Sequence, residues 1–261
     1  KALDRNSKAA DYKRAIDAWL TPLPQGVEAN WVIGNHDKHR AASRLGPQRG
    51  DLINILIQTL PGVAITYMGE ELVMENVHLT WEETVDPQAC NTHDPVNYEG
   101  SSRDPARTPF PWDDTKNGGF STANTTWLPA GDQYKTVNVK AQEEAQNSHL
   151  KIFRKLTTIR KQPVFRQGSY DGKLLADENV YAYKRQDGNN IAIVVLNFGT
   201  STQTVNLKAT WSTIPDEMKV YTSSLNSKLT NGQNLMTTSI EIMSDNGIVL
   251  LSSGVSAVYS F

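Results

Sequence analysis

The chain has 261 residues, of which 38% are hydrophobic, enough for a core in one large domain or two of ordinary size. It carries 26 basic and 28 acidic residues, a net charge of −2, and no basic block. We therefore predict no nucleic-acid partner and no binding to an anionic membrane surface. No apolar run is long enough to span a bilayer. The start, KALDRNSKAADY, has no initiator Met and no apolar signal region, and we expect it to lie inside a longer protein.

The first part of the chain alternates helix and strand patterns. Apolar residues at helical spacing predict a helix over Asp11–Leu20 and a second one within 46–62. Two short apolar runs, Ala29–Gly34 and Val63–Tyr67, predict buried strands. Continuous apolar strands placed between helices are typical of a parallel sheet with both faces covered.

A long irregular stretch over 69–140, rich in Pro, Asn, Asp and Trp, follows, and loops of this length usually border a functional site. A helix is predicted over Ala141–Arg160, with Pro163 beyond its end. The remaining pattern predicts an antiparallel β domain that opens with a hairpin around Asp187–Asn190. Its other predicted strands are Thr202–Leu207, Met218–Thr222, Ser239–Met243, Gly247–Leu251 and Ala257–Phe261. We place the domain boundary at Gln162–Pro163, giving domains 1–162 and 163–261.

Polar residues follow both predicted parallel strands. Asn35, His36 and Asp37 end the first strand, and Glu70 and Glu71 lie just past the second. Ligand sites form at this end of parallel strands, and a carboxylate pair could catalyse glycoside hydrolysis. Helix N-caps or salt-bridge partners are the commoner roles of such residues. No metal site is predicted, because the zinc and calcium spacings are absent, and no Gly-x-Ser-x-Gly motif supports a serine hydrolase.

Three blocks of sequence carry a family resemblance. They are ANWVIGNHDKHRAASRLG, LPGVAITYMGEEL and SSRDPARTPFPWDDTKNGGFS, in this order. The chain resembles the carboxy-terminal half of an α-glucosidase of glycoside hydrolase family 13, the α-amylase superfamily, and is most similar to the insect maltases. The resemblance implies an α/β fold: the C-terminal portion of a TIM (β/α)8 barrel followed by an antiparallel β-sandwich. Ala29–Gly34 and Val63–Tyr67 would then be the seventh and eighth barrel strands, and Ala141–Arg160 the last barrel helix.

The resemblance also implies residue roles in a retaining mechanism that uses three acids. Asp37 matches the acid that stabilises the transition state, and His36 and Arg107 match sugar-contacting residues. Arg40 completes the Asn-His-Asp-x-x-Arg pattern and is expected to line the site. Glu70 and Glu71 do not match the acid/base position, so we interpret them as structural or charge-network groups. The nucleophile and the acid/base are expected upstream of Lys1, so residues 1–261 alone are expected to lack glucosidase activity.

The expected partners are small α-glucosides and the upstream segment of the barrel. No cofactor is expected in this chain, and the resemblance leaves open a structural calcium in the upstream part. An extracellular location is expected, secreted or attached to the outer cell surface, with any membrane attachment outside this chain. The alternatives are a non-catalytic scaffold like the heavy chains of amino-acid transporters, or a docking site for a bacterial toxin.

Three further features carry expectations. Asn124 opens an N-glycosylation sequon, Asn-Thr-Thr. The single cysteine, Cys90, cannot form a disulfide within the chain. Two sets of residues are expected to be structural. The histidines His78, His93 and His149 are expected on the surface or in loops. For the tryptophans Trp81, Trp112 and Trp127, burial in the loop's own small core is favoured over the alternative that one of them contacts sugar.

Overall fold

A computed structural model of the chain describes residues 2–256, and the predicted strand Ala257–Phe261 lies outside the described residues. The helices are α1 (Ala9–Leu20), α2 (Ala41–Leu45), α3 (Gly50–Thr59), α4 (Pro87–Cys90), α5 (Val139–Glu144), α6 (His149–Ile159), α7 (Pro163–Arg166), α8 (Leu207–Thr210) and α9 (Ser253–Ser256). The strands are β1 (Asn30–Val32), β2 (Val63–Ile65), β3 (Ser169–Leu175), β4 (Val180–Asp187), β5 (Asn190–Asn197), β6 (Gln203–Val205), β7 (Glu217–Ser223), β8 (Asn234–Met236), β9 (Ile240–Ile242) and β10 (Asn246–Leu251). Within residues 2–256, no helix has both the length and the apolar character needed to cross a membrane.

Most of the predicted elements are confirmed. The first helix, the helix within 46–62, both short apolar strands and the hairpin appear at the expected places, and 69–138 holds only short helical turns. The prediction that the two short strands are buried is wrong for three of their apolar side chains, since Val32, Val63 and Ile65 are 46%, 49% and 43% exposed. The strands β3 and β8 were not predicted, because neither has the alternation of apolar and polar residues that marks a half-buried strand. β1 and β2 pair in a two-stranded sheet.

The prediction of one helix over Ala141–Arg160 is wrong, because the helix breaks between α5 and α6. The buried side chain of Gln142 fills the break: its Oε1 accepts the N–H of Leu150 at 2.8 Å. The hydroxyl of Ser148 donates to the carbonyl of Gln142 at 2.7 Å and accepts the N–H of Lys151 at 3.3 Å. These side chains satisfy backbone groups that a continuous helix would pair internally, so the break costs little.

The chain forms two compact units, each built from separate segments. The first unit comprises the described residues of Lys1–Trp31, Asp51–Ile65 and Ile152–Phe261. The second comprises Val32–Gly50 and Thr66–Lys151. The predicted site residues therefore all belong to the second unit: Asn35, His36, Asp37, Arg40, Glu70, Glu71 and Arg107.

An antiparallel six-stranded sheet, in the order β3-β4-β5-β10-β7-β8, dominates the first unit. One face of this sheet shares a hydrophobic core with the small sheet of β6 and β9. Successive side chains of β4 point to opposite faces of the sheet. Val180 and Ala182 belong to this core, whereas Tyr181 and Tyr183 are buried on the other face. Burial on both faces explains why β5 and β10 read as almost continuous apolar runs.

The second face of the six-stranded sheet packs against α3. The hydroxyls of Tyr183 and Thr59 lie 2.5 Å apart. Arg185, fully buried on the same strand, donates to the carbonyls of Thr59 at 2.9 Å and Phe165 at 2.7 Å, and to two further carbonyls at Gly168 and Ser169. Burial lowers the pKa of Arg185 to about 10, so the guanidinium remains charged at neutral pH. One buried side chain thus ties α3, α7 and the start of β3 to the sheet.

The second unit has a small core of its own, formed by Met74, Val77, Leu79 and Leu128. The expectation that the loop tryptophans are buried in it is wrong for two of them: Trp112 is 53% exposed and Trp127 is 67% exposed. Trp81 is half-buried and packs edge-on against Tyr98. Among the histidines, His78 and His93 are exposed, as predicted, and His149 is half-buried.

Replacing Arg185 with Ala should destabilise the first unit severely. The substitution removes the donor from the buried carbonyls of Thr59 and Phe165, at a cost of about 1–3 kcal/mol for each one left unsatisfied. Differential scanning calorimetry of the complete protein should show a large fall in Tm. The control is Arg166→Ala at an exposed position, which should change stability by less than about 0.5 kcal/mol. A Tm for Arg185→Ala equal to that of the control would contradict the assigned role.

Candidate active site

The polar cluster Asn35-His36-Asp37 occupies the turn that follows β1. The side-chain oxygen of Asn35 accepts the backbone N–H of Asp37 at 2.9 Å, which closes an Asx turn. This local hydrogen bond sets the direction in which Asp37 leaves the backbone. The carboxylate of Asp37 is half-exposed, at 51%, so a ligand can reach it.

Two arginines contact the same oxygen of Asp37. Its Oδ1 lies 3.2 Å from Nη1 of Arg103 and 3.1 Å from Nη2 of Arg107. Arg107 also donates through Nε to the backbone carbonyl of His36 at 2.7 Å. The other oxygen, Oδ2, lies 3.4 Å from Nε2 of His36. The arginines therefore fix the plane of the carboxylate from one side, and the exposed imidazole of His36 lies beside its other oxygen.

Arg103 is itself held by a buried carboxylate. Asp86 accepts from Nε of Arg103 at 2.8 Å and from Nη2 at 2.6 Å, a bidentate pair, and it also accepts the backbone N–H of Arg103. The hydrogen bonds from Arg103 hold the pKa of Asp86 well below its usual range. Asp86 is buried and caps α4 by accepting the N–H of Gln88. The guanidinium of Arg103 is thus placed between a buried acid and an exposed one, Asp37.

The segment that carries both arginines is fixed by Asp104, which is fully buried. One of its oxygens accepts the N–H groups of Val85 and Asp86, each at 2.8 Å. Asp104 also opens a 3₁₀ turn, and its carbonyl accepts the N–H of Arg107 at 2.8 Å. The hydroxyl of Tyr67, in the loop after β2, donates to the carbonyl of Ala106 at 2.9 Å. The spacing of the two arginines is therefore set by backbone contacts at both ends of the turn.

Arg44 forms hydrogen bonds to the backbone on both sides of the turn that bears Asp37. Its Nη2 donates to the carbonyl of Ile33, and its Nε donates to the carbonyl of His39 at 2.9 Å. These two carbonyls stand on either side of the Asn-His-Asp cluster. One guanidinium therefore holds both ends of the turn, and its charge favours the ionised form of Glu70 nearby.

Glu70 and Glu71 lie in a 3₁₀ turn that follows β2. Glu70 accepts the N–H of Tyr67 at 3.1 Å, and Glu71 accepts the N–H of Gly69 at 2.8 Å. Burial raises the pKa of both carboxyls, that of Glu70 to about 7. The carboxylate of Glu70 also packs so closely on Gly34 that a side chain at Gly34 would collide with it. Glu70 therefore contacts the segments that follow both β1 and β2, and Glu71 holds the backbone of its own loop. The structural or charge-network role of the two glutamates stays a prediction.

The structure brings together three of the predicted site residues, His36, Asp37 and Arg107. Arg40 takes a different position: it is 3% exposed, donates to the carbonyl of Met68 at 2.6 Å and lies over the ring of Tyr67, 5.6 Å from its centroid. Its role in substrate binding stays a prediction. Among residues 2–256, no group of three His, Cys, Asp or Glu side chains could hold a metal ion.

Sequence reasoning missed Arg103 and Asp86. Arg103 stands four positions before Arg107 in the same sequence block, and this short separation was the available signal. Asp86 carried no signal, because it lies in the irregular stretch and meets Arg103 only through the fold.

The family profile described as "Alpha amylase, catalytic domain" matches residues 3–168. The chain belongs to the alpha-amylase family. It is 45% identical over 251 residues to Maltase A1 of Drosophila melanogaster, an alignment that covers 96% of this chain and 43% of that protein. It is 47% identical over 221 residues to a salivary alpha-glucosidase of Aedes aegypti, covering 84% of this chain and 38% of the relative. The chain thus spans less than half the length of these curated relatives.

Two further proteins match more distantly. The crystal structure of a trehalulose synthase from Pseudomonas mesoacidophila superposes with a TM-score of 0.78 at 24% identity, over 94% of this chain and 47% of that one, which establishes a shared fold. The amino acid transporter heavy chain SLC3A1 of Rattus norvegicus is 31% identical, over 90% of this chain and 33% of its own. The chain is therefore more similar to the two insect proteins than to the transporter subunit.

Replacing Asp86 with Asn should destabilise this alpha-amylase family chain at neutral pH, by about 1–3 kcal/mol, because a buried group that pairs with Arg103 loses its charge. The folded pKa of Asp86 is depressed, so the stabilisation is complete above the unfolded pKa of about 3.9 and is lost as pH falls towards the folded value. The Tm difference from the wild type should therefore shrink below about pH 4.

The control for this pH series is Asp132→Asn, an exposed acid paired with Lys135, which should show no measurable Tm difference at neutral pH. A Tm difference for Asp86→Asn that stays constant between pH 7 and pH 3 would exclude the charged pair as its cause.

Proposed function

We propose that the chain is part of a retaining α-glucosidase that releases terminal α-linked glucose from maltose, sucrose or small oligosaccharides. The observation that carries the proposal is the carboxylate of Asp37, half-exposed and held through Oδ1 by Arg103 and Arg107. The high identity to Maltase A1 of Drosophila melanogaster supports the same substrate class. The nucleophile and the acid/base would lie on earlier barrel strands, outside this sequence.

The geometry suits transition-state stabilisation by Asp37. Cleavage of a glycosidic bond develops positive charge on the sugar ring, and hydrogen bonds to its hydroxyls strengthen in that state. A carboxylate fixed in advance needs no reorganisation when this charge appears. In the proposed complex, Oδ2 of Asp37 and Nε2 of His36, 3.4 Å apart, face neighbouring sugar hydroxyls. Arg107 orients Asp37 and adds a donor for the same sugar.

We propose that β1 and β2 are the seventh and eighth strands of a (β/α)8 barrel within a domain of residues 1–162, and that residues 163–261 form the β-sandwich domain. Apolar side chains on these strands support this assignment. Val63 and Ile65 of β2 are 49% and 43% exposed, and Val32 of β1 is 46% exposed. A two-stranded sheet with exposed apolar residues leaves surface and edges that further strands would cover. The proposed partner is therefore the upstream segment of the barrel.

An extracellular location follows as part of the same proposal, supported by relatives from Aedes aegypti and Anopheles gambiae that are named salivary alpha-glucosidases. The proposal requires no cofactor. The competing function, a non-catalytic scaffold like an amino acid transporter heavy chain, predicts no turnover of any α-glucoside by the complete protein.

In the complete enzyme, Asp37→Asn should lower kcat by at least roughly 10²-fold, the scale for losing one preorganised electrostatic group. The amide keeps an oxygen for Arg103 and Arg107, so the substitution removes charge and leaves the shape of the site. Initial rates with a chromogenic α-glucoside measure the effect.

The matched control for Asp37→Asn is Asp114→Asn, an exposed acid 3.7 Å from Lys140 in the same unit, and it should leave kcat unchanged. An unaltered kcat in the Asp37 variant would remove Asp37 from catalysis. Absence of turnover of the α-glucoside by the wild-type protein would reject the proposed α-glucosidase function and favour a non-catalytic scaffold.

A further inference from the structure

A groove in the second unit lies among residues with no part in the proposed reaction. Its volume is about 500 Å³. Asn124 and the exposed Trp127 line it, and Glu82, Glu83 and Lys116 contribute charged groups. An indole that is 67% exposed is costly to leave in water, and its burial by a ligand would be favourable.

The groove contains its own attachment point for a ligand. Asn124, Thr125 and Thr126 form the sequon for N-glycosylation and all three line the groove. Asn124 is exposed, as a modified residue must be. Trp127 follows the sequon directly and lines the same groove, so a sugar linked to Asn124 starts in the groove that Trp127 lines.

The side chain of Asn124 is oriented in a way that modification would preserve. Nζ of Lys116 donates to its Oδ1 at 3.0 Å, and Oδ1 is the atom that N-glycosylation leaves unmodified. The turn before Asn124 is fixed as well, because the amide of Asn117 donates to the carbonyls of Ser121 at 3.0 Å and Ala123 at 2.9 Å. The amide nitrogen that takes the sugar thus belongs to a side chain held by Lys116, and hydrogen bonds from Asn117 hold the backbone before it.

We propose that Asn124 carries an N-linked glycan whose innermost N-acetylglucosamine lies in this groove and stacks on Trp127. The apolar C–H face of the sugar ring covers the indole. The carboxylates of Glu82 and Glu83 accept hydrogen bonds from its hydroxyl and acetamido groups. The glycan then shields the exposed aromatic surface of Trp127 from water. The inference depends on the proposed extracellular location and does not depend on glucosidase activity.

The test uses the complete protein secreted from a eukaryotic host, with peptide mass spectrometry to read the modification at Asn124. Hydroxyl-radical footprinting then compares the oxidation rate of Trp127 in three forms of the folded protein. These forms are the intact glycoprotein, protein trimmed by an endoglycosidase to one N-acetylglucosamine, and protein fully deglycosylated by a peptide N-glycosidase. Trp112, 53% exposed and outside the groove, is the internal reference.

We expect a glycan mass on Asn124 and an oxidation rate of Trp127 that rises roughly threefold only on full deglycosylation, since one stacked sugar covers most of the exposed indole face. Trp112 should oxidise equally in all three forms. The Asn124→Gln and Thr126→Ala variants should match the fully deglycosylated protein, and Thr126→Ser, which keeps the sequon, should match the wild type. Because the enzymes act on folded protein, the result does not rely on how a variant folds.

Two results would overturn the proposal. An unmodified Asn124 peptide from the secreted protein would exclude the glycan. Equal oxidation of Trp127 in the trimmed and the fully deglycosylated protein would exclude stacking by the first sugar. α-Glucosidase activity measured on the same samples separates either outcome from a failure of the proposed reaction.

Discussion

The bridge that Arg103 forms between Asp86 and Asp37 is the interaction on which the candidate site depends. Asp86 is buried and takes two hydrogen bonds from the guanidinium, so the arginine side chain has one preferred direction. Its remaining donor, Nη1, then reaches Oδ1 of Asp37 from a fixed position. A buried acid thus orients an exposed acid through an arginine. Arg107 repeats the contact with Oδ1 and ties it to the backbone of His36.

Arginines also organise the backbone elsewhere in the chain. Arg44 holds the two carbonyls on either side of the Asp37 turn, and Arg185 satisfies carbonyls from three parts of the first unit. A planar guanidinium with several fixed donors can do this where chain segments meet without regular hydrogen bonding. In both cases the side chain replaces the ladder of bonds that a helix or sheet would supply.

Much of the fold follows from patterns in the sequence. Helix α1, the strands β1 and β2 and the hairpin of β4 and β5 were predicted because their apolar spacing and turn residues agree. The break between α5 and α6 was not, because it depends on contacts of Gln142 that no local pattern reveals. His36, Asp37 and Arg107 could be named from sequence motifs. Asp86 could not, since only the folded irregular stretch brings it to Arg103.

The most direct test of the central claim is a crystal structure of the complete protein with a bound, unreactive α-glucoside. We expect Oδ1 of Asp37 to keep its contacts with Arg103 and Arg107, and Oδ2 to accept a hydrogen bond from a hydroxyl of the terminal glucose, at about 2.5–3.0 Å. Nε2 of His36 should contact a hydroxyl of the same ring. A glucose bound without contact to Asp37, or an Asp37 that releases both arginines when the sugar binds, would contradict the proposed site.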